Sequence, residues 1–494
     1  MNQSSIGAGL ALLTMTVTFL GCADLKDPEQ ERIDRAVAAI EAAAPKVARD
    51  PDRPVYHYRP PALWMNDVCG GFHYRGYYHV FFQQGPLSDG HNRGRGIGWG
   101  HTRSRDLVNW EHLRPVLMPP EGARLEASGS AFIRRDGSPI LFFAHTPMDL
   151  SKNKREQWAA EPVDEDLMVW RRFDIGLAAG KSGIPEDVRA NWADMFVFQV
   201  GDGVFATFKE TEGLICKAQN DRLTAWEAVG TVEGVDGECP NLFSLDGRQV
   251  LIRSTYPISY MVGDFDPDAI ALDLETPPRV LDYGYGGEEM PTPLHRGVYG
   301  TTVFTDQAGR TILLGWVSGF KPDRGWNGCM SLPRLLSLDK DDRLIQTPAP
   351  ELEQLRGKHL KVENLSLADE LKAVEGAEGD ALEIKAEFAP GDAAAFGLKV
   401  RCSRDGQSGI SLRYSDGTLN VAGTEVPLEI GSRTLKLHLF LDKSVLEVFL
   451  DEGRTAVTRV NYAPAEDLGI AVFAENGAAV LKSLDVWSMN SILK

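Results

Sequence analysis

Three segments repeat one pattern: Arg105-Asp106-Leu107-Val108-Asn109-Trp110, Glu165-Asp166-Leu167-Met168-Val169-Trp170 and Asp221-Arg222-Leu223-Thr224-Ala225-Trp226. In each, a Trp stands three residues after a Leu. Each follows a strand-like stretch: Trp99-Gly100-His101, Trp158-Ala159-Ala160 and Ile215-Cys216-Lys217-Ala218. The Trp residues recur at about 56–60 positions. A unit of that size, made of short strands and polar turns, fits one four-stranded sheet of a β-propeller. The span 55–350 leaves room for roughly two more units, so the spacing predicts five blades. Trp110, Trp170 and Trp226 are expected to pack between blades.

The flanking sequence agrees with an all-β chain. Tyr77-Tyr78-His79-Val80-Phe81-Phe82 and Ile140-Leu141-Phe142-Phe143 are short, aromatic and bounded by Gly, Asp or Pro. Beyond Pro348-Ala349-Pro350 the texture changes. Leu382 to Phe388 and Leu435 to Leu441 alternate with period two, and Val445 to Leu450 follows a short turn. Such alternation indicates antiparallel strands with one buried face, most simply a β-sandwich. The expected division is a five-bladed propeller over 51–355 and a C-terminal β-sandwich over 356–494. Upstream, Pro51 to Pro61 breaks any helix. Residues 23–50 are charged and Ala-rich, with Ile33, Val37 and Ile40 on one helical face, which reads as a helical tether.

The apolar run Ile6 to Gly21 is too short for an ordinary spanning helix and suits the core of a signal peptide. Phe19-Leu20-Gly21-Cys22 resembles a bacterial lipobox, although Phe19 stands where Leu is usual and no Lys or Arg precedes the run. Residues 1–22 are therefore expected to direct export, with Cys22 the lipidation site and any membrane association made through that anchor. The expected location is the bacterial cell envelope, the periplasm or outside the cell. Of 494 residues 43% are hydrophobic, enough for a full core, and the formal net charge of −18 argues against a nucleic-acid partner. Cys69, Cys216, Cys239, Cys329 and Cys402 are scattered and show neither disulfide nor zinc spacing; buried free thiols are expected, and no metal.

Two acids stand in unusual surroundings about 170 residues apart: Asp67 in Leu63-Trp64-Met65-Asn66-Asp67, and Glu238 in Asp236-Gly237-Glu238-Cys239-Pro240. A third, Asp194, opens the apolar stretch Met195-Phe196-Val197-Phe198. Taken singly, Asp67 reads as well as a turn cap, Glu238 as a solvated loop residue and Asp194 as a strand-end residue. Taken together, two carboxylates in one cleft are the minimum for cleaving a glycosidic bond with retention: one attacks the anomeric carbon while the other protonates the leaving oxygen. A Glu tucked beside Cys239 and Pro240 would be partly desolvated, and Asp236 nearby would also favour its acid form. The backbone around Gly70 and Gly71 is placed to donate hydrogen bonds to Asp67.

In this combination the chain resembles glycoside hydrolase family 32, the β-fructosidases that include invertases, inulinases and levanases. Trp64 to Gly70 is similar to the family's Trp-Met-Asn-Asp-Pro-Asn-Gly block, with Val68 and Cys69 in place of Pro and Asn. Tyr78 to Gln83, Trp99-Gly100-His101 with Asp106 to Glu111, Ser128-Gly129-Ser130-Ala131, Glu238-Cys239-Pro240, Val262 to Phe265, Gly325 to Gly328 and Met330 to Arg334 continue the series in family order. The resemblance spans about residues 55–355 and extends to the sandwich. It implies a propeller with an axial site, Asp67 as nucleophile, Glu238 as acid/base, and Asp194 as the acid that holds fructose hydroxyls. It implies that Asn66, Gln83, Trp99, Ser128, Asp236 and Trp316 line the fructose pocket, that no cofactor is needed, and that the partner is a fructan or fructoside.

Departures from the family pattern bear on that pocket. The Arg of its Arg-Asp-Pro block is Ala193 here, and the Pro is Met195. Arg93 or Arg95 is the expected replacement cation, in a stretch where the family often carries a Trp. Glu288-Glu289-Met290-Pro291 reads as an insertion at the rim. The leading expectation is a hydrolase releasing fructose from sucrose, inulin-type or levan-type substrates. The alternatives are a fructosyltransferase or altered-specificity glycosidase on the same scaffold, and a catalytically inactive carbohydrate-binding protein. The sequence does not choose the linkage, the exo or endo mode, or the oligomeric state.

Overall fold

The computed structural model describes residues 1, 27–86, 96–235, 237–284, 297–431 and 433–492, and the fold is nearly all β. Cys22 and residues 2–21 of the expected export segment lie outside the described residues, as do Arg93, Arg95, Asp236 and the segment 288–291.

One α-helix, Pro28–Val47, precedes the sheets. Asp27 caps it by accepting from the Glu29 backbone N–H at 2.9 Å, Pro28 stands in its first turn, and Glu29 and Glu31 face the positive end of its dipole. Ile33, Ala36, Ile40 and Val47 are buried; Ile33 and Ala36 pack on Met118, and Val47 packs on Ala62 and Trp326. Arg172 links Glu29 of the helix to Glu126 of the sheets, and Arg114 pairs with Asp34 at 2.9 Å. The segment expected as a tether is therefore docked. Leaving Ile33 and Ile40 in water would forfeit about 1.5–3 kcal/mol per side chain.

The sheets that follow form a propeller-like arrangement. Leu63–Tyr74, Tyr77–Gly85, Gly98–Ser104 and Trp110–Leu117 make one antiparallel meander. Ala123–Ile133, Pro139–Pro147, Glu156–Pro162 and Trp170–Leu177 make the next, and Ala193–Val200, Gly203–Lys209, Leu214–Ala218 and Trp226–Thr231 a third. Gly297–Thr305, Thr311–Ser318, Arg334–Leu338 and Leu344–Pro348 form a further sheet. Between these last two, Glu238–Leu245, Arg248–Ser254, Ile258–Asp266 and Arg279–Asp282 pair antiparallel, but a parallel bridge from Asp282 to Ala456 continues this meander into the C-terminal sheet. Trp326-Asn327, from the last propeller sheet's sequence, pairs parallel with Leu63-Trp64 of the first and ties the two ends together.

The repeated Leu-Trp element has a local cause. Leu107, Leu167 and Leu223 all adopt positive φ (62°, 58° and 56°) in the turn before the outer strand, and all are buried. The Trp170 and Trp226 indole N–H groups donate to the carbonyls of Leu167 and Leu223 at 2.8 and 3.0 Å, which closes the turn. Trp170 and Trp226 also meet Phe81 and Phe142 of the preceding sheets edge-on. Trp110 is only partly buried, beside Tyr58.

The C-terminal strands form a sandwich-like unit around Leu382, Ile384, Leu437, Leu439, Val448, Val472 and Leu484. Its last strand, Gly469–Met489, pairs along one edge with Arg356–Glu378 and divides its other edge between two strands: residues 479–488 pair with Ala381–Pro390, and residues 469–475 with Ala395–Cys402. The switch falls at Asn476 and Gly477, both at positive φ. The two units are joined by buried charge. Arg334 is fully buried and reaches Asp282 at 2.9 Å and Glu447 at 2.7 Å, and His57 lies between Asp442 and Glu447.

Candidate active site

The first strands of the propeller meanders begin around a cavity of about 210 Å³. Asp67, Asp194 and Glu238 all line it, each at a point where regular pairing fails. A register shift between Met65 and Val68 spans Asp67 and a second follows between Val68 and Gly70, so Asp67 is turned out of the ladder. Asp194 has φ 56° at the start of its strand, and Cys239, directly after Glu238, has φ 46°. Non-glycine residues held at positive φ carry backbone strain, which collects at functional sites. The Cys239 N–H donates to Asp194 Oδ2 at 3.0 Å, so the two strained turns brace each other.

Each acid has a distinct setting. Asp67 Oδ2 accepts from Ser128 Oγ at 2.7 Å. Burial pushes the Asp67 carboxyl up to about 6, the Asp194 charge adds to the rise, and the Ser128 hydrogen bond opposes it. The donors expected from Gly70 and Gly71 are thus replaced by a hydroxyl. Those glycines instead permit close packing, since a Cβ at Gly70 would stand 2.7 Å from the Ala131 Cβ and one at Gly71 2.6 Å from the Phe304 ring. Glu238 is not tucked away as expected: its side chain is 51% exposed, with Oε1 3.1 Å from Lys209 Nζ and Oε2 accepting from Tyr299 Oη at 3.0 Å. Asp194 is buried, and its Oδ2 lies 3.3 Å from Lys209 Nζ. Burial opposes the Lys209 charge, but Asp194 and Glu238 outweigh it and hold the ammonium protonated.

Asn66, Gln83, Ser128 and Trp316 line the same cavity. Asn66 Oδ1 and Trp316 Nε1 are buried without a hydrogen-bond partner among the described residues, which suits groups completed by a ligand. Trp99 corrects the expectation for it. The residue is fully buried between Phe81 and Phe143, its indole N–H donates to Ala127 O at 3.2 Å, and it stands behind the cavity wall. Lys209, Arg155, Arg124, Tyr256 and Tyr299 are lining residues that sequence reasoning did not single out. Tyr256 stacks on Tyr299 at 4.8 Å. Cys69 and Cys239 are buried thiols raised well above the usual range by burial first, so neither is an available nucleophile. A larger cleft of about 440 Å³ borders Lys436, His438 and Glu452, but Glu452 is 69% exposed beside Lys436, and no converging set of buried acids marks it.

Three carboxylates converging on a sugar-sized cavity, in a propeller-like unit fused to a sandwich-like one, define a glycoside hydrolase. Residues 57–348 match the N-terminal domain of glycosyl hydrolases family 32, and residues 351–488 match the C-terminal domain of that family. The chain belongs to glycosyl hydrolase family 32 and is a β-fructofuranosidase-like enzyme. It is 29% identical to a levanase of Bacillus subtilis, over 89% of this chain and 71% of the relative. It is 28% identical to a sucrose-6-phosphate hydrolase of the same organism, over 87% and 93%. Among solved structures, fructan 1-exohydrolase IIa from Cichorium intybus superposes with a TM-score of 0.77 at 22% identity, covering 90% of this chain and 98% of that one. Sucrose-6-phosphate hydrolase from Lactobacillus gasseri gives 0.77 at 25% identity, covering 92% and 97%.

Proposed function

We propose that the protein is a retaining β-fructosidase that releases fructose from a fructan or β-fructoside through a fructosyl-enzyme. The observation that carries this reading is the convergence of Asp67, Asp194 and Glu238 in one cavity, each with a different partner. Asp67 attacks the anomeric carbon as the carboxylate, oriented by Ser128. Glu238 donates its proton to the leaving oxygen, then takes one from the water that hydrolyses the ester, restoring both acids. The anomeric carbon of fructose is quaternary, so the transition state is strongly cationic, and the fixed negative charge of Asp194 stabilises it. Asn66, Gln83 and Trp316 complete the fructosyl pocket. Relatives named levanase and sucrose-6-phosphate hydrolase, and a fructan exohydrolase solved with 1-kestose, support a fructosyl substrate.

The same reading takes the 238–282 meander as one blade of a five-bladed propeller over 51–355, with the sandwich over 356–494. It takes residues 1–22 as an export signal with Cys22 lipidated. Ala193, where the family motif has Arg, favours a second reading in which the fructosyl group passes to another sugar or a different glycoside is accepted; excess acceptor sugar distinguishes it by product length. The primary test is chromatography of products from sucrose, inulin and levan with wild type and Asp67→Asn. Free fructose from any of them, lost in the variant, is the expected result; no release from all three overturns the reading.

A further inference from the structure

Ala193 removes a cation from the sugar-binding motif, and the strand pairing returns one from elsewhere. Lys209 ends the strand Gly203–Lys209, and its Cα partner across the ladder is Ala193 itself, after a register shift beyond Thr207. The bulge turns Lys209 toward the cavity it lines. Its side chain is 15% exposed, and its ammonium sits 3.3 Å from Asp194 Oδ2 and 3.1 Å from Glu238 Oε1. Ala193 is fully buried and packs with Ala127 and Ala144, so no long side chain occupies that position.

We infer that Lys209 is a substrate-facing cation of this pocket, delivered from the neighbouring strand in place of the arginine that position 193 lacks. This rests on the β-fructosidase reading and adds to it a residue outside every family block recognised in the sequence. An ammonium has three N–H donors. One is directed at Glu238 Oε1, Asp194 is held as an ion pair at 3.3 Å, and the remaining donor capacity serves a hydroxyl of the fructosyl unit. Among the other lining cations of the described residues, Arg155 has its Nε on Thr146 Oγ1 and one terminal nitrogen on the Asn191 carbonyl, which fixes it to the wall, and Arg124 is exposed. Lys209 alone among the three touches both acids. It holds Asp194 and Glu238 at a fixed separation while the sugar binds. A lysine grips through a single point where a planar guanidinium would grip a diol with two parallel bonds.

The test compares wild type, Lys209→Met, Lys209→Arg and Lys209→Ala on the fructoside that the wild type turns over best. Loss of one charged hydrogen bond predicts a fall in kcat/KM of about 10- to 100-fold for Lys209→Met, shared between kcat and KM, with Lys209→Arg retaining most of the activity. Ethylammonium added to Lys209→Ala should restore kcat in proportion to its concentration, whereas sodium chloride at equal ionic strength should not. A merely structural lysine would not respond to a free amine. Lys209→Met within about threefold of wild type, or a Lys209→Ala defect untouched by ethylammonium in protein that melts as wild type, overturns the inference and leaves the β-fructosidase reading standing. A wild type that neither cleaves the three fructosides nor binds fructose by calorimetry overturns both.

Discussion

Ser128 Oγ donates to Oδ2 of Asp67 at 2.7 Å and is the hydroxyl that opposes the rise in the Asp67 pKa caused by burial and by Asp194. In the proposed mechanism Asp67 attacks as the anion, which predicts that kcat/KM falls as pH drops through about 6. Glu238 adds to the rise and Lys209 works against it. In Ser128→Ala the stabilising donor is gone and the acid limb should move up by roughly one pH unit, the equivalent of one hydrogen bond to a charged group. A pH profile of kcat/KM checks this. Activity at pH 5.5 should suffer far more than activity at pH 7.5, and a uniform loss across the profile would separate Ser128 from the ionisation of Asp67.

Asp67→Asn should abolish turnover, yet make the fold more stable at neutral pH. An acid whose folded value is near 6 against an ordinary 3.8 costs nothing below about pH 4, where both states are protonated. The cost grows between pH 4 and 6 and is complete above, on the order of 3 kcal/mol. Thermal melts at pH 4 and pH 7 should therefore show the variant level with wild type at the lower pH and a few degrees above it at the higher. Equal melting points at both would mean that Asp67 carries no burial penalty.

Glu238 is set between Lys209 and Tyr299, and the two partners suggest different tests. Tyr299→Phe removes the donor to Glu238 Oε2, at 3.0 Å, and should lower kcat/KM about 10-fold, most for poor leaving groups. Glu238→Ala should remove proton donation altogether while leaving Asp67 able to form the intermediate from an activated aryl fructoside. Azide should then accelerate breakdown and give a fructosyl azide of retained configuration. An inverted azide would contradict the two-step pathway.

What could be read from the sequence was what repeats or what stands in a block. Leu107, Leu167 and Leu223 announce their turns because each needs the same positive φ and the same Trp three residues on. Asp67 and Glu238 stand among rare neighbours, and the cavity brings both together. Lys209 has no such signature: Ala206-Thr207-Phe208-Lys209 is an ordinary strand end until pairing sets it opposite Ala193. Tyr299 meets Glu238 across a sequence separation of 61 residues, which no local pattern encodes. Trp99 enters as a pocket residue only through the family resemblance; Gly98–Ser104 is buried along nearly its whole length, and alternation cannot tell a cavity face from an inter-sheet face in such a strand. The docking of Pro28–Val47 depends on Met118 and Trp326, far away in sequence.

The junction between the two units should be weakened by alkali through His57. Its Nδ1 lies 2.8 Å from Asp442 Oδ2 and its Nε2 3.1 Å from Glu447 Oε1, with all three side chains fully buried. Both ring nitrogens face carboxylates, so both must donate, which requires the imidazolium. Asp442 also accepts from the backbone N–H groups of Val55, Tyr56 and His57, and Glu447 from Leu332 N and Arg334, so neither acid is a ready proton acceptor. Burial alone would lower the His57 value; the hydrogen bonds to Asp442 and Glu447 overcome it and push it up to about 9. A histidine raised above its ordinary 6.5 contributes stability that is complete below that pH and is lost as pH climbs through about 9. The wild-type melting temperature should therefore decline between pH 6.5 and 9.5. His57→Gln should cost about 3 kcal/mol or more at pH 6, because it leaves two buried carboxylates short of a cation. It should also flatten the decline at higher pH. Melts of both proteins across that range decide the matter: an undiminished slope in His57→Gln would assign the alkaline loss to another group.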